Sequence, residues 1–320
     1  MACRRERQDP QRNSPPLAGT GVAHRFRRIH VEVTNLCNLR CPFCVETPQP
    51  KGTMAAAAFA RVAAQLQPLT DEVVLHVLGE PLTHPDLAGI LAAAGEVALP
   101  VHAVTNGVLL DDTRTGLLLL PVVRQVSISL HSAASVLAAT DLETYLEGVV
   151  RFCTRAARER PDLYVNLRLW HGDGPRVQIG HPRLAARLSA HYGQDLTRAA
   201  TDVRRRKNMP LRGRHYLHFD TRFEWPRMDL PEGTAEGTCY GLTSHFGILV
   251  DGTAVPCCLD AAGIMALGNV FRTPVSEILA GERARTIRDG FRAGRREEPL
   301  CRRCTYSERF GRLTRRDRVP

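Results

Sequence analysis

Nowhere in the 320 residues do apolar side chains run uninterrupted for the ~20 positions that a membrane-spanning helix needs. The N-terminus, Met1–Phe26, is Arg-rich but lacks the apolar segment of a secretory signal, so a soluble cytoplasmic protein is expected. Lysine is almost missing. Only Lys51 and Lys207 occur among 43 Lys and Arg residues, and so lopsided a ratio beside so much alanine points to coding bias rather than selection for phosphate-binding forks. The net charge of +10 is also absent from the centre: residues 1–28 contribute +5 and residues 283–320 contribute +8, leaving −3 over 29–282. Solvated basic ends are expected, with 1–28 and 311–320 as tails, and neither nucleic acid nor a membrane is an expected partner.

The missing export signal also argues against a disulfide framework for the ten cysteines, because cytosolic thiols stay reduced and clustered ones are more often metal ligands. Cys37, Cys41 and Cys44 form C-x3-C-x2-C directly after Ile29–Thr34, which alternates like a strand. Cys239, Cys257, Cys258, Cys301 and Cys304 make a second set, while Cys3 and Cys153 stand alone. Three thiolates at the first spacing suit three corners of a cubane and leave its fourth iron open for chemistry. A structural zinc site closes with four ligands, and no local fourth exists here, since His30 precedes the loop.

At these residues the chain resembles the radical S-adenosylmethionine superfamily, whose signature is this cysteine motif with an aromatic before the last thiol, here Phe43. Apolar runs and helical patterns then alternate. Helices are expected at 54–67, 86–95, 111–120 and 141–159, and strands at 72–78, 100–105, 124–130 and 163–170. Repeated βα units argue a parallel sheet with helices outside, and the resemblance implies a partial (β/α)6 barrel, α/β in class, over 29–220.

Chemistry in such barrels gathers at the carboxyl ends of the strands. Gly79-Glu80-Pro81 stands where the family has Gly-Gly-Glu, with Leu78 in place of the first glycine. Asn106 lies in a Thr-Asn-Gly turn like the family's, although Asn-Gly by itself is only a turn. In Ser127–His131 the alternation puts Ser127, Ser129 and His131 on one face, and in Val165–Trp170 it pairs Asn166 with Arg168. The resemblance implies cofactor contacts from Phe43, Gly79, Glu80, Asn106 and Ser129. Arg168 is a candidate for the methionine carboxylate, and His131 faces substrate or serves as a structural histidine.

After a Pro- and Gly-rich linker at 221–238, a small module is expected over 239–310, with a hairpin around Asp251-Gly252, a helix at 274–280 and a final helix opening at Cys301. Cys239, Cys257, Cys301 and Cys304 give four thiolates, which saturate either a 4Fe-4S cluster or a zinc ion. The glycine, Asp-Gly, Pro-Cys and Leu-Gly-Asn-Val pattern resembles twitch or SPASM extensions, which implies an auxiliary 4Fe-4S cluster. Cys258 is then left over as a small buried residue, an alternative ligand, or a hydrogen-atom donor of the kind radical peptide epimerases use. Cys153 reads as core.

The resemblance implies cleavage of S-adenosylmethionine to a 5′-deoxyadenosyl radical, with an electron from an external flavodoxin- or ferredoxin-like donor. Oxidative modification of a peptide or protein is the favoured outcome. Dehydrogenation of a small aminocyclitol-like metabolite, redox-neutral peptide epimerisation and a zinc or nucleic-acid protein are the alternatives.

Overall fold

The computed structural model describes residues 25–171, 176–179, 181–203 and 206–310. Cys3, nearly all of both basic tails, and Arg204 and Arg205 lie outside the described residues. β1 (Arg28–Val31), α1 (Ala56–Leu66), β2 (Val73–Leu75), α2 (Leu87–Glu96), β3 (Val101–Thr105), α3 (Asp112–Leu118) and β4 (Val123–Ser129) follow the expected alternation. Then come α4 (Leu130–Val136), α5 (Ala139–Glu159), β5 (Tyr164–His171), β6 (Arg176–Gln178), α6 (Pro182–Tyr192), β7 (Ala200–Asp202), β8 (Asn208–Pro210) and the sixth barrel strand, β9 (His215–Thr221).

β1 to β5 and then β9 lie side by side in chain order, all parallel. A sheet wound in one direction is a partial barrel rather than a doubly wound sheet. Its outer face is apolar: Ile29, Val101, Ile128, Leu167 and Phe219 are buried in one cluster with helix residues. α1 joins that cluster through Phe59, Val62, Ala63 and Leu66, spaced i, i+3, i+4 and i+7. Phe59, Val62 and Leu66 each contribute roughly 1.5–3 kcal/mol, and Ala63 less.

The opposite parity is mostly polar, Val74 and Val104 aside, unlike the branched apolar filling common in parallel barrels. His30, His102, Gln125, Ser127, Arg168 and His218 sit there by register. His102 Nε2 lies 2.8 Å from Ser127 Oγ, and the Nδ1 atoms of His76 and His102 are buried with no partner. Such a lining suits a polar ligand.

Two expectations are corrected. β4 ends at Ser129 and Leu130–Val136 coil into α4, so His131 does not continue the Ser127, Ser129 alternation. The Ser-Ala-Ala-Ser run after Leu130 has no β-branched residue to prolong the strand. The second departure concerns the C-terminal half. β10 (His245–Ile248), β11 (Thr253–Val255) and β12 (Gly268–Asn269) form the expected hairpin and its continuation, followed by α7 (Val275–Ala280), α8 (Glu282–Arg292) and α9 (Pro299–Arg302). β10 pairs in parallel with β1, Arg28 opposite His245 and Val31 opposite Ile248. The hairpin and β12 therefore add three strands to the barrel's own sheet, and β8, antiparallel to β9 at the other edge, brings it to ten. Phe246 and Ile248 join the barrel core, and Phe26 packs edge-on against Phe246 with ring centroids 4.9 Å apart. Cys301 and Cys304 span the end of α9 rather than opening a long helix. Among the described residues no helix is long and apolar enough to cross a membrane.

Candidate active site

The first three thiols sit in the loop after β1, which the chain closes at its neck. Asn35 Oδ1 accepts from Gly52 N at 2.8 Å and its Nδ2 donates to Pro50 O at 3.0 Å. Within the loop, Cys37 Sγ accepts from Leu39 N at 3.4 Å and the Cys44 N–H donates to Cys41 O at 3.0 Å. Burial, then the neighbouring Cys41 and Cys37, pushes the Cys44 thiol up to about 11. Burial also raises Cys37 and Cys41, so metal binding at this loop must release protons.

Gly79 has φ +72, and a Cβ there would lie 2.3 Å from Thr34 O and 2.9 Å from Leu36 O. The glycine is thus required by the backbone of the thiol loop. Glu80 is 1% exposed and fully engaged. Its carboxylate accepts from Thr105 Oγ1 at 2.7 Å, Leu82 N at 3.0 Å and Asn106 N at 2.6 Å, tying the ends of β2 and β3 together. Asn106 Nδ2 in turn donates to Asn38 Oδ1 at 2.9 Å and lies 3.9 Å from Cys37 Sγ. Glu80 and Asn106 therefore act on the loop as a connected frame. Ser129, the last residue of β4, is the N-cap of α4 and makes no side-chain capping bond.

Leu78 is explained by packing. It is buried with Val77, Leu249, Val255 and Ala261, an apolar joint between the barrel and the C-terminal hairpin. Leu78→Gly, which would restore a Gly-Gly-Glu sequence, is expected to cost roughly 2–5 kcal/mol in a urea melt by emptying that joint. An unchanged midpoint would show that the joint carries no load.

In the second set, burial raises Cys257 strongly and holds Cys239 and Cys258 up at about 11. Cys257 feels Cys258, Cys239, Cys301 and Cys304, which places all five thiols in one neighbourhood. A Cβ on Gly241 would meet Pro256 O at 3.1 Å, so bare backbone lets the Cys239 segment approach Cys257. Among the described residues no three His, Cys, Asp or Glu side chains converge tightly enough for a single metal ion. A cubane takes its thiolates on separate irons, whereas zinc draws all four to one centre. All-thiol donors spaced in this way fit iron–sulfur clusters at both sets.

The sequence reading missed two features. One is an aromatic wall. His131 stacks on Trp170 with centroids 4.4 Å apart and 12° between planes, Phe43 lies 5.5 Å from both, and Trp170 continues through Phe223 at 5.1 Å to Tyr306 at 5.3 Å. Trp170 shares the Asn166, Arg168 parity and was visible there, but Phe223 and Tyr306 come from segments without periodicity. The other is Glu32, buried just after β1. It accepts from Leu78 N at 3.0 Å and Val250 N at 3.1 Å, linking three segments.

Burial holds Glu32 and Glu80 up at about 7. Their contribution to stability is full below pH 4.5 and is lost as the pH rises to about 7. Buried His76 and His131, held down at about 3, and His245, at about 4, act oppositely: their contribution is full above 6.5 and lost as the pH falls toward those values. The metal-free protein is therefore expected to lose stability between pH 6.5 and 4, and the Glu32→Gln, Glu80→Gln double variant to lose it more steeply. A variant with an unchanged pH slope would contradict this.

Comparison with known proteins agrees with the geometry. Residues 31–174 match the radical SAM superfamily, and residues 239–305 match SPASM, an iron–sulfur cluster-binding domain. A PqqA peptide cyclase from Streptomyces rochei is 26% identical over 301 residues, 86% of this chain and 80% of that protein. The crystal structure of BtrN with AdoMet and 2-DOIA superposes with a TM-score of 0.54 at 19% identity, covering 88% of this chain and 94% of that one. Streptococcus suis SuiB bound to its precursor peptide SuiA also gives 0.54, at 13% identity, covering 88% and 70%. These structures share the partial-barrel fold. The chain belongs to the radical SAM superfamily: it is a radical SAM enzyme that uses a 4Fe-4S cluster with S-adenosylmethionine and carries a C-terminal SPASM region for auxiliary iron–sulfur.

Proposed function

We propose that this enzyme oxidatively modifies a C–H bond of a peptide or protein. The similarity that carries this reading is the Streptomyces rochei peptide cyclase, which aligns across most of both chains. Cys37, Cys41 and Cys44 would hold the first cluster, and Cys239, Cys257, Cys301 and Cys304 an auxiliary one. Bound there, the cofactors supply reductive cleavage of S-adenosylmethionine and a 5′-deoxyadenosyl radical that removes a hydrogen atom. Glu80 and Asn106 fix the thiol loop against the strand ends, and Phe43 joins that loop to the aromatic wall. The polar barrel lining receives polar groups of cofactor and substrate. An external one-electron donor of flavodoxin or ferredoxin type completes the system.

Anaerobic reconstitution followed by iron and sulfide counts and a 5′-deoxyadenosine assay tests the reading. About eight iron and eight sulfide per chain are expected. A peptide that loses two hydrogens, seen by mass spectrometry, supports the maturase reading, whereas turnover of aminocyclitol-like metabolites alone overturns it. Cys258 separates the oxidative outcome from epimerisation. Its thiol, held up at about 11, keeps its proton at neutral pH. Cys258→Ala is expected to leave oxidised product formation within about threefold, a change of less than 1 kcal/mol in barrier. Deuterium uptake from solvent that vanishes in Cys258→Ala would instead make the enzyme an epimerase.

A further inference from the structure

Arg168 stands in the middle of β5, between Ser129 of β4 and His218 of β9. Its position inside the barrel places a guanidinium where desolvation lowers its pKa. Among the described residues its side chain has no hydrogen bond and no ion pair; its one partner is the Trp170 ring, 5.9 Å from Cζ. The carboxylate whose charge reaches it, Asp220, ion-pairs with Lys207 at 3.2 Å. The imidazoles around it, His76, His131 and His218, are held neutral by burial and by Arg168 itself. A half-buried cation without a paired anion is costly, and the site keeps one beside an aromatic ring.

The location decides which anion. Tyr306 and Cys258, both in the C-terminal half, lie near enough to act on Arg168. The guanidinium is thus within reach of the second thiol set, and the Trp170 ring beside it also meets Phe43 of the first loop. The aromatic wall passes the same place, from Phe43 beside the first loop through Trp170 and Phe223 to Tyr306, two residues beyond Cys304.

We propose that Arg168 anchors a carboxylate of the substrate, with the adjoining flat apolar part of that substrate lying on Trp170, Phe223 and Tyr306. The proposal rests on the radical SAM reading of the site and gives Arg168 a role different from the methionine carboxylate contact expected from sequence. A planar fork suits a bidentate carboxylate, supplied by an acidic side chain, a chain terminus or a small acid.

The chain's two tryptophans, Trp170 and Trp225, both adjoin Phe223 in this wall, so intrinsic fluorescence reports on it directly. The reconstituted enzyme, with S-adenosylmethionine present, is titrated with N-acetylphenylalanine and with its neutral amide. The carboxylate is expected to bind at least about tenfold more tightly. Arg168→Gln should erase that difference while calorimetric affinity for S-adenosylmethionine stays unchanged. Equal binding of acid and amide to the native enzyme overturns the proposal without any variant. Loss of S-adenosylmethionine binding in Arg168→Gln, with iron content intact, overturns it in favour of the cofactor's carboxylate. A blocked peptide with an internal glutamate, compared with N-acetylphenylalanine, tells a side-chain carboxylate from a terminal one. Selective binding of the acid by a protein that makes no 5′-deoxyadenosine would sink the reaction proposal and leave the anchor standing.

Discussion

Cys41→Ala is expected to lower iron from about eight to about four per chain and to abolish 5′-deoxyadenosine formation. The loss should reach at least about 10³-fold, or some 4 kcal/mol of barrier. Cys41 is the middle thiol of the loop, and its carbonyl receives the Cys44 N–H at 3.0 Å. Alanine keeps that backbone turn and removes only the sulfur, so the result reports ligation and not loop collapse. Cys301→Ala provides the contrast. It should also halve the iron but leave cleavage of S-adenosylmethionine running, with modified product missing. Full iron content in Cys41→Ala would mean that the loop does not hold a cluster, and identical phenotypes for the two variants would mean that the sets do not act separately.

Gly79→Ala is expected to have a comparable effect by a different route. A methyl group at 2.3 Å from Thr34 O and 2.8 Å from Asn35 Cα meets backbone, which cannot rotate away. The residue must also hold φ +72, a region that costs an L-residue roughly 1–2 kcal/mol. Because the atoms displaced are those that carry the thiol loop, the loop should shift before the barrel unfolds. The expected signature is loss of the first cluster's iron and of 5′-deoxyadenosine, with the auxiliary iron retained and the thermal midpoint lowered by several degrees. A variant with native iron content would show that the loop tolerates the displacement.

The local features of this fold were legible because they are periodic. The Phe59, Val62, Ala63, Leu66 stripe and the alternating strands need only neighbours within a turn or a pleat to be read. The thiols were legible because their spacing sets them apart as two groups along the chain. Pairing of β10 with β1 was not, since a strand's sequence says what face it buries but not which distant strand lies beside it. Gly79 and Glu80 were expected as cofactor contacts; the surroundings the structure gives them are Thr34, Asn35, Thr105 and Asn106, which no local pattern announces. Arg168 was visible as a cation on a polar face. That it goes unpaired depends on Asp220 and Lys207 meeting elsewhere, which no pattern in β5 encodes.

The pairing of β1 with β10 also bears on how the chain is made. β1 leaves the ribosome well before β10, so the barrel's β1 edge stays open until all the other barrel strands have been made. Such a long loop closure makes folding slow. During that interval the thiol loop at the end of β1 lacks the contact that β10's end makes with Glu32. Once β10 docks and Glu32 accepts from Val250, the loop is braced from the C-terminal side. The surroundings of the thiol loop are thereby completed only when this one late strand pairing forms.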